Sequence, residues 1–188
     1  MTATQPTSTL AGLTAGTWTV DPSHSSVGFV ARHMMITKVR GHFADFDGTV
    51  TIGEDPFASS VVANVRLASI ETGSEDRDGH LRSPDFFDVE THPEMTFRST
   101  AVHADGDDYR LDGDLTIAGV SRPVSFALDF DGVGQDPWGG TRAGFTATTE
   151  INRKDWGLSW NVALETGGLL VSEKIRIELD LELVKLEA

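Results

Sequence analysis

Apolar and polar residues alternate with a period of two along most of this chain, and Gly, Asp and Pro clusters repeatedly interrupt the alternation. A period of two puts successive side chains on opposite faces of an extended segment, so the pattern predicts half-buried antiparallel strands. The clearest is KIRIELDLELV near the C-terminus. There Ile175, Ile177, Leu179, Leu181 and Leu183 share one face, and Arg176, Glu178, Asp180 and Glu182 share the other. Further strands are predicted at residues 25–34, 43–52, 59–70, 95–104, 109–119, 124–133 and 142–151. About eight long strands with short connections are too many for one open sheet with a solvated face, which predicts a closed or nearly closed barrel without free edges. Asp-Gly at 47–48, 112–113 and 131–132 falls within or beside these strands, where glycine permits a bulge or tight turn.

Two stretches break the pattern. In RDGHLRSPDFFDV, residues 77–89, acids and bases are interleaved around two adjacent phenylalanines. Ser83-Pro84 reads as an N-cap followed by proline at the first helical position, and Thr72–Leu81 offers an earlier helical turn, so short helices are expected to cross one barrel end. An acid/base site needs two groups whose pKa values are held apart beside a pocket. Interleaved charges instead satisfy one another. Arg77, Asp78, Arg82, Asp85 and Asp88 are therefore expected to form ion pairs that fix the helices, with Phe86 and Phe87 pointing inward. The second stretch is INRKDWGLSWNVALETGGLL, residues 151–170, in which a helical reading puts Trp156 and Trp160 on one side.

With 188 residues and 39% hydrophobic composition, the chain is sized for one domain with a real core, expected over 17–188 after an N-terminal tail or arm at 1–16. The absence of cysteine removes disulfides, thiolate nucleophiles and cysteine-held zinc, iron–sulfur or haem. A formal net charge of −14 argues against long-range attraction to nucleic acid or to an anionic membrane. No window is long and apolar enough to span a bilayer, and the N-terminus lacks a basic region followed by an apolar one, so no signal peptide and a cytoplasmic protein are expected. Neither a phosphate-binding glycine loop nor a G-x-S-x-G elbow occurs.

An eight-stranded barrel is just wide enough to be filled by its own side chains or to hold one small ligand. The inward inventory alternates Phe29, Phe43, Phe97, Phe126 and Phe145 with Gly28, Ala31, Gly41, Ala63, Ala143 and Gly144. Tight packing and an aromatic-walled tunnel both fit this inventory. The most basic stretch of this acidic chain is ARHMMITKVRGHF, with Arg32, His33, Lys38, Arg40 and His42. A hairpin centred near Thr37 brings His33 toward Gly41 and Arg32 toward His42, and alternation places His33 on the face of Phe29 and Ala31. His24, His33 and His42 recur every nine residues, an odd spacing that alternates faces, so no metal site is expected.

WTVDPSHSSVGFVARHMMITKVRGHFADFDGTV, DRDGHLRSPDFFDVETHPEMTF, LDGDLTIAGVSRPV and INRKDWGL occur in this order from Trp18 over nearly the whole chain, and together resemble the YceI family. That resemblance implies an all-β, extended eight-stranded antiparallel lipocalin-like barrel with a hydrophobic pore that binds a polyisoprenoid. Many members of the family are periplasmic or secreted. On this basis the chain is expected to be noncatalytic and to bind, transport or sequester a polyprenyl chain or isoprenoid quinone, with no other cofactor. Phe29, Ala31, Phe43, Leu67, Phe86, Phe97, Ile117, Phe126, Phe145, Trp156 and Trp160 are the expected pore residues, and Arg32, His33, Arg40 and His42 the expected head-group contacts. The expected partner is the lipid, without nucleic acid or stable membrane insertion, and an exposed strand face allows a homodimer. A lipid-modifying enzyme working within the barrel and an interaction module with a filled core are the alternatives.

Overall fold

The structure, a computed structural model, describes residues 10–187. Strands β1 (Gly16–Val20), β2 (Ser26–His33), β3 (Thr37–Phe43), β4 (Phe46–Ile52), β5 (Ser60–Arg66) and β6 (Ile70–Glu71) lead to helix α1 (Glu75–Arg82). Strands β7 (Glu94–Asp105), β8 (Asp108–Ile117), β9 (Val120–Gln135), β10 (Thr141–Asn152) and β11 (Lys174–Lys185) follow. All pairings between these strands are antiparallel. The order β1-β4-β5-β7-β8-β9-β10-β11 closes on itself because β11 also pairs with β1, giving the eight-stranded barrel.

The last strand does two jobs. Its Leu183–Lys185 end pairs with β1, while Arg176–Asp180 pairs with β2. Strands β1 and β2 are thus one path along β11, kinked at a 3₁₀ turn over Pro22–His24. Asp21 caps that turn, accepting from the Ser23 amide at 2.9 Å. A second kink at Ala44–Asp45 separates β3 from β4. There Ser69 accepts from both amides, through its carbonyl at 3.1 Å and its hydroxyl at 3.0 Å. Strand β4 stays in the closed ring between β1 and β5, whereas β3 follows β2 outward and meets only the two-residue β6 on its far side. The barrel is therefore extended at one end, and residues 67–93, including α1, cover the gap that β3 leaves.

The predicted strands at 25–34, 95–104, 109–119, 124–133 and 142–151 correspond to β2, β7, β8, β9 and β10, and KIRIELDLELV lies within β11. The predicted strand at 43–52 runs across the second kink, and the one at 59–70 stops at Arg66. Strands β1, β3 and β6 are additional. Each carries two apolar positions or fewer on its inward face, too few for a period of two to register. Part of the expected tail packs on the barrel: the Trp18 indole donates to the Thr14 carbonyl at 3.1 Å, and Trp18 is wholly buried. Residues 1–9 lie outside the described residues.

Glycines set how closely the interior aromatics approach the sheet. Phe97 on β7 lies over Gly113 on β8, where an added Cβ would stand 2.4 Å from the ring and 2.6 Å from the Arg98 carbonyl. Phe29 covers Gly41 in the same way, at 2.4 Å. Two of the three Asp-Gly pairs sit at bulges: Phe145 pairs with Phe130 and Gly144 with Gly132, so Asp131 is an extra residue, and Ser99 pairs with Gly113 and Ala101 with Asp112, so Thr100 is the extra residue opposite 112–113. At the end of the barrel away from α1, Arg142 bonds to Asp21 at 2.7 Å, to Asp136 at 2.9 Å and to Glu182, joining the first kink to the β9–β10 turn. Hydrogen bonds from Ser23, His24 and Arg142 hold the Asp21 carboxyl far below its ordinary value of 3.8, and the three carboxylates raise Arg142.

Two predictions follow from this packing. Gly113→Val forces its side chain into Phe97 and backbone, and is expected to cost about 2 kcal/mol in chemical denaturation, as overpacked sites do. Asp21 titrates lower folded than unfolded, so its contribution is complete above 3.8 and is withdrawn as pH falls through its lower folded value. The acid limb of a stability–pH curve is expected to be shallower in Asp21→Asn than in the parent.

Candidate functional site

Two cavities occupy the barrel. The smaller, about 180 Å³, lies in the closed ring between β4, β5, β7, β8 and β11, and Leu10 and Leu13 border it as well. The larger, about 490 Å³, lies in the extended end between β2, β3, α1 and the segment 157–173. Val27, Met95 and Ile177 belong to the walls of both. The alternating face of β11 runs past the two in sequence: Ile175 and Ile177 border the larger, and Ile177, Leu179, Leu181 and Leu183 the smaller. Asp47 is the one charged residue on the wall of the smaller cavity. The larger is apolar inside and polar at its rim. Arg32, His33, Asp76 and Arg77 are both exposed and on its wall, which places its mouth between the end of β2 and the start of α1.

Phe29, Ala31, Phe43, Phe86, Ile117 and Trp160 border the larger cavity, and Phe97, Phe126 and Phe145 the smaller. Leu67 and Trp156 border neither. Leu67 is wholly buried in a packed cluster with Phe43, Phe46, Val65 and Ile70. Trp156 is 3% exposed, and its indole donates to the Leu115 carbonyl at 2.9 Å. The two tryptophans are not on one side, because residues 153–156 form a single 3₁₀ turn that Gly157 ends in the left-handed conformation. Trp160 then packs edge-on against His80 at 4.5 Å, and lies 5.3 Å from Phe86.

Of the expected head-group contacts, Arg32 and His33 border the larger cavity. Arg40 and His42 are on neither wall. Arg40 reaches Glu178 at 3.3 Å and His42 reaches Glu71 at 3.2 Å, all on the exposed side. Alternation with Val39, Gly41 and Phe43 turns Arg40 and His42 outward, and the register takes them away from the mouth: His33 pairs with Thr37 and Arg32 with Lys38, so the hairpin turns at residues 34–36 and not at Thr37, and Arg40 and His42 pair with Val30 and Gly28. A hydrogen bond from the Ile36 amide to the His33 carbonyl at 3.0 Å closes the turn, with Met34 and Met35 both at positive φ.

Helix α1 is the only helix of eight or more residues among those described, and Ser74, not Ser83, is its N-cap. Ser83 ends it instead, and residues 84–92 are turns. The charges expected to pair with each other mostly bind backbone. Asp78, 7% exposed, accepts from the Thr72 amide at 3.0 Å and from its hydroxyl at 2.5 Å. Arg82 donates to the carbonyls of Ala68 at 2.9 Å and Ile70 at 3.0 Å, and Arg77 to that of Thr72 at 2.7 Å. Within this stretch only His80 and Asp85 pair, at 2.9 Å. Phe86 and Phe87 do point inward, onto the wall of the larger cavity.

Several polar groups on that wall are not among the expected contacts. His80 presents its ring to the cavity, one nitrogen bound by Asp85. Thr72 and Ser74 flank it. Another is Arg153, 4% exposed, whose guanidinium donates to the carbonyls of Ser172 at 2.9 Å, Leu158 at 2.5 Å and Val171 at 3.4 Å, and lies 5.8 Å from the centre of the Phe86 ring. Burial pushes its pKa down, with partial compensation from Glu173. Three carbonyls spread over residues 158–172 are a signal that only the folded loop displays.

Two clusters elsewhere resemble catalytic or metal sets. Asp21, His24 and Glu182 converge within 4.8 Å, but Arg142 already donates to both carboxylates. His103, Asp112 and Ser125 meet on the outer face, with Asp112 in the middle: Ser125 donates to the carboxylate, and His103 stands 3.0 Å from it. The serine hydroxyl thus bonds to the carboxylate and not to the imidazole.

A closed antiparallel barrel with apolar cavities along its axis is a lipocalin-like binding architecture. The chain belongs to the YceI-like domain family, whose model matches residues 18–183. It is 40% identical over 163 residues to a UPF0312 protein of Photorhabdus laumondii, covering 79% of this chain and 85% of that one. It is 43% identical over 136 residues to protein YceI of Escherichia coli, covering 72% and 71%. The crystal structure of Burkholderia cenocepacia BcnA superposes with a TM-score of 0.71 at 25% identity, over 87% of this chain and 98% of BcnA. A polyisoprenoid-binding domain from Saccharophagus degradans shares the fold, with a TM-score of 0.69 at 16% identity over 90% and 98%.

Arg153→Met leaves three carbonyls without their donor. It is expected to cost about 3 kcal/mol. Hydrogen exchange should show faster exchange in residues 157–173 than in β7–β10, and equal exchange across both would count against this role.

Proposed function

We propose that the chain is a noncatalytic binding protein for an isoprenoid lipid, a polyprenyl chain or isoprenoid quinone, held with its tail in the smaller cavity and its polar end at the mouth of the larger. The observation that carries this reading is the pair of apolar cavities that meet at Val27, Met95 and Ile177 and so lie end to end along the barrel, an arrangement suited to a linear apolar chain. Each CH₂ moved from water into such cavities contributes roughly 0.8 kcal/mol, less the entropy of ordering the chain. A few isoprene units then suffice for useful affinity. The polyisoprenoid-binding relative supports the ligand class.

At the mouth, His33, His80 and Arg32 are the groups suited to a quinone carbonyl or a phosphate. They border the larger cavity together, although they come from strand β2 and helix α1. The carboxylate of Asp85 fixes one nitrogen of His80, and the other makes no hydrogen bond among the described residues. Sequestration or delivery then depends on how readily the mouth releases the lipid.

Mass spectrometry of an organic extract, with native mass spectrometry of the intact protein, tests the reading. A stoichiometric prenyl lipid, returned unchanged after incubation, is expected. No bound lipid after incubation with polyprenyl lipids and quinones would overturn it, and time-dependent conversion would make the chain an enzyme. His33→Phe is expected to reduce discrimination between head groups about fivefold, the worth of one hydrogen bond, while leaving tail binding unchanged.

A further inference from the structure

We propose that the β2–β3 hairpin tip is a membrane contact, through which the mouth of the larger cavity docks on a phospholipid bilayer. Met34, Met35 and Ile36 form this tip and are 40%, 57% and 77% exposed. Val162, 46% exposed, stands beside them: its carbonyl accepts from the Leu170 amide at 2.9 Å, and the Leu170 carbonyl accepts from the Met34 amide at 2.8 Å. Four of the seven large hydrophobic residues most exposed in the described chain thus gather on one rim. Trp138, on the β9–β10 turn, is at the opposite end.

The turn itself resists a local explanation. Both central residues have positive φ, the geometry that Asn-Gly adopts freely and that disfavours long side chains. Two methionines there give up local stability, and nothing among the described residues covers them. Flexible, polarisable thioethers suit an irregular apolar partner.

Charge around the tip selects the same partner. Arg32 and Lys38 face each other across the hairpin and make no ion pair among the described residues, in a chain of net charge −14. Across the mouth, α1 presents Glu75 and Asp76, and Glu165 lies on the neighbouring loop, so the complementary side is the hairpin. At about 0.15 M salt the Debye length is roughly 8 Å, and a phosphate at the tip then responds to Arg32 and Lys38 more than to the distant acids. Apolar side chains entering the interface, flanked by cations at head-group level, are how a peripheral protein holds a bilayer without spanning it. The inference rests on the lipid-binding reading for its purpose, since a water-insoluble ligand must leave a membrane at some rim. It does not rest on it for its test.

Flotation at physiological salt on phosphatidylcholine vesicles, with and without a minority of phosphatidylglycerol, reads the contact directly. The parent is expected to float with vesicles of both compositions. Met35→Ser/Ile36→Ser should lower the bound fraction about tenfold, as loss of two interfacial apolar side chains implies. Lys38→Glu should lower it only where phosphatidylglycerol is present. A parent that stays with the soluble fraction, or a double variant that floats equally well, would overturn the proposal. Prenyl-lipid binding measured in detergent separates the two readings: a double variant that still binds there but does not float is the expected result, and flotation of a parent that binds no prenyl lipid would remove the pore while keeping the dock.

Discussion

The pairing of β11 with two partners along its length is the constraint on which the rest of the molecule depends. Its C-terminal end closes the ring on β1, and its N-terminal half carries β2 and β3 beyond the ring. Closure fixes the circumference, so the interior must be filled by whatever the inward faces supply. Those faces combine long side chains with Gly113 and Ala63, and Phe97 lies over its glycine instead of reaching toward the axis, as Phe29 lies over Gly41 in the extension beyond the ring. A ring of fixed size with aromatics pressed on its walls leaves space along the middle. The cavities are a product of closure and glycine placement together.

The segment over the extended end answers a different requirement. Residues 67–93 and 153–173 are mostly irregular, and an irregular backbone beside an apolar chamber has carbonyls and amides that neither a sheet nor water can satisfy. Charged side chains do so. Arg153 gathers three carbonyls, Arg82 two, and Asp78 the amide and hydroxyl of Thr72. The charge-rich stretch at 77–89 is thus a fastening for the cover of the cavity, and His80, Phe86 and Phe87 are among its residues that face the interior, with Asp85 holding His80 from the exposed side.

Strands with sustained alternation were legible from the sequence. In β11 and β8 every second residue turns inward, and the period of two says so directly. The kinks were not, because Pro22–His24 and Ala44–Asp45 are irregular only with respect to neighbours far away in the chain. Pore-facing aromatics on regular strands, such as Phe97 and Phe126, follow from alternation. Residues on irregular backbone do not: helical spacing grouped Trp156 with Trp160, but a left-handed Gly157 sends one into the core and the other to the cavity. Arg40 and His42 sit on the outer face that alternation with Val39, Gly41 and Phe43 gives them, and the turn at 34–36 carries them away from the mouth; a turn through two methionines at positive φ has no sequence signature.

The three residues common to both chambers also determine what sort of molecule fits. Val27 and Ile177 are branched and held in strands, while Met95 is unbranched and able to change rotamer, so the wall that the chambers share has two stiff members and one yielding one. A slender chain occupying both chambers, as proposed, needs only the methionine to give way, whereas a rigid fused-ring body of equal volume would need the strands themselves to part.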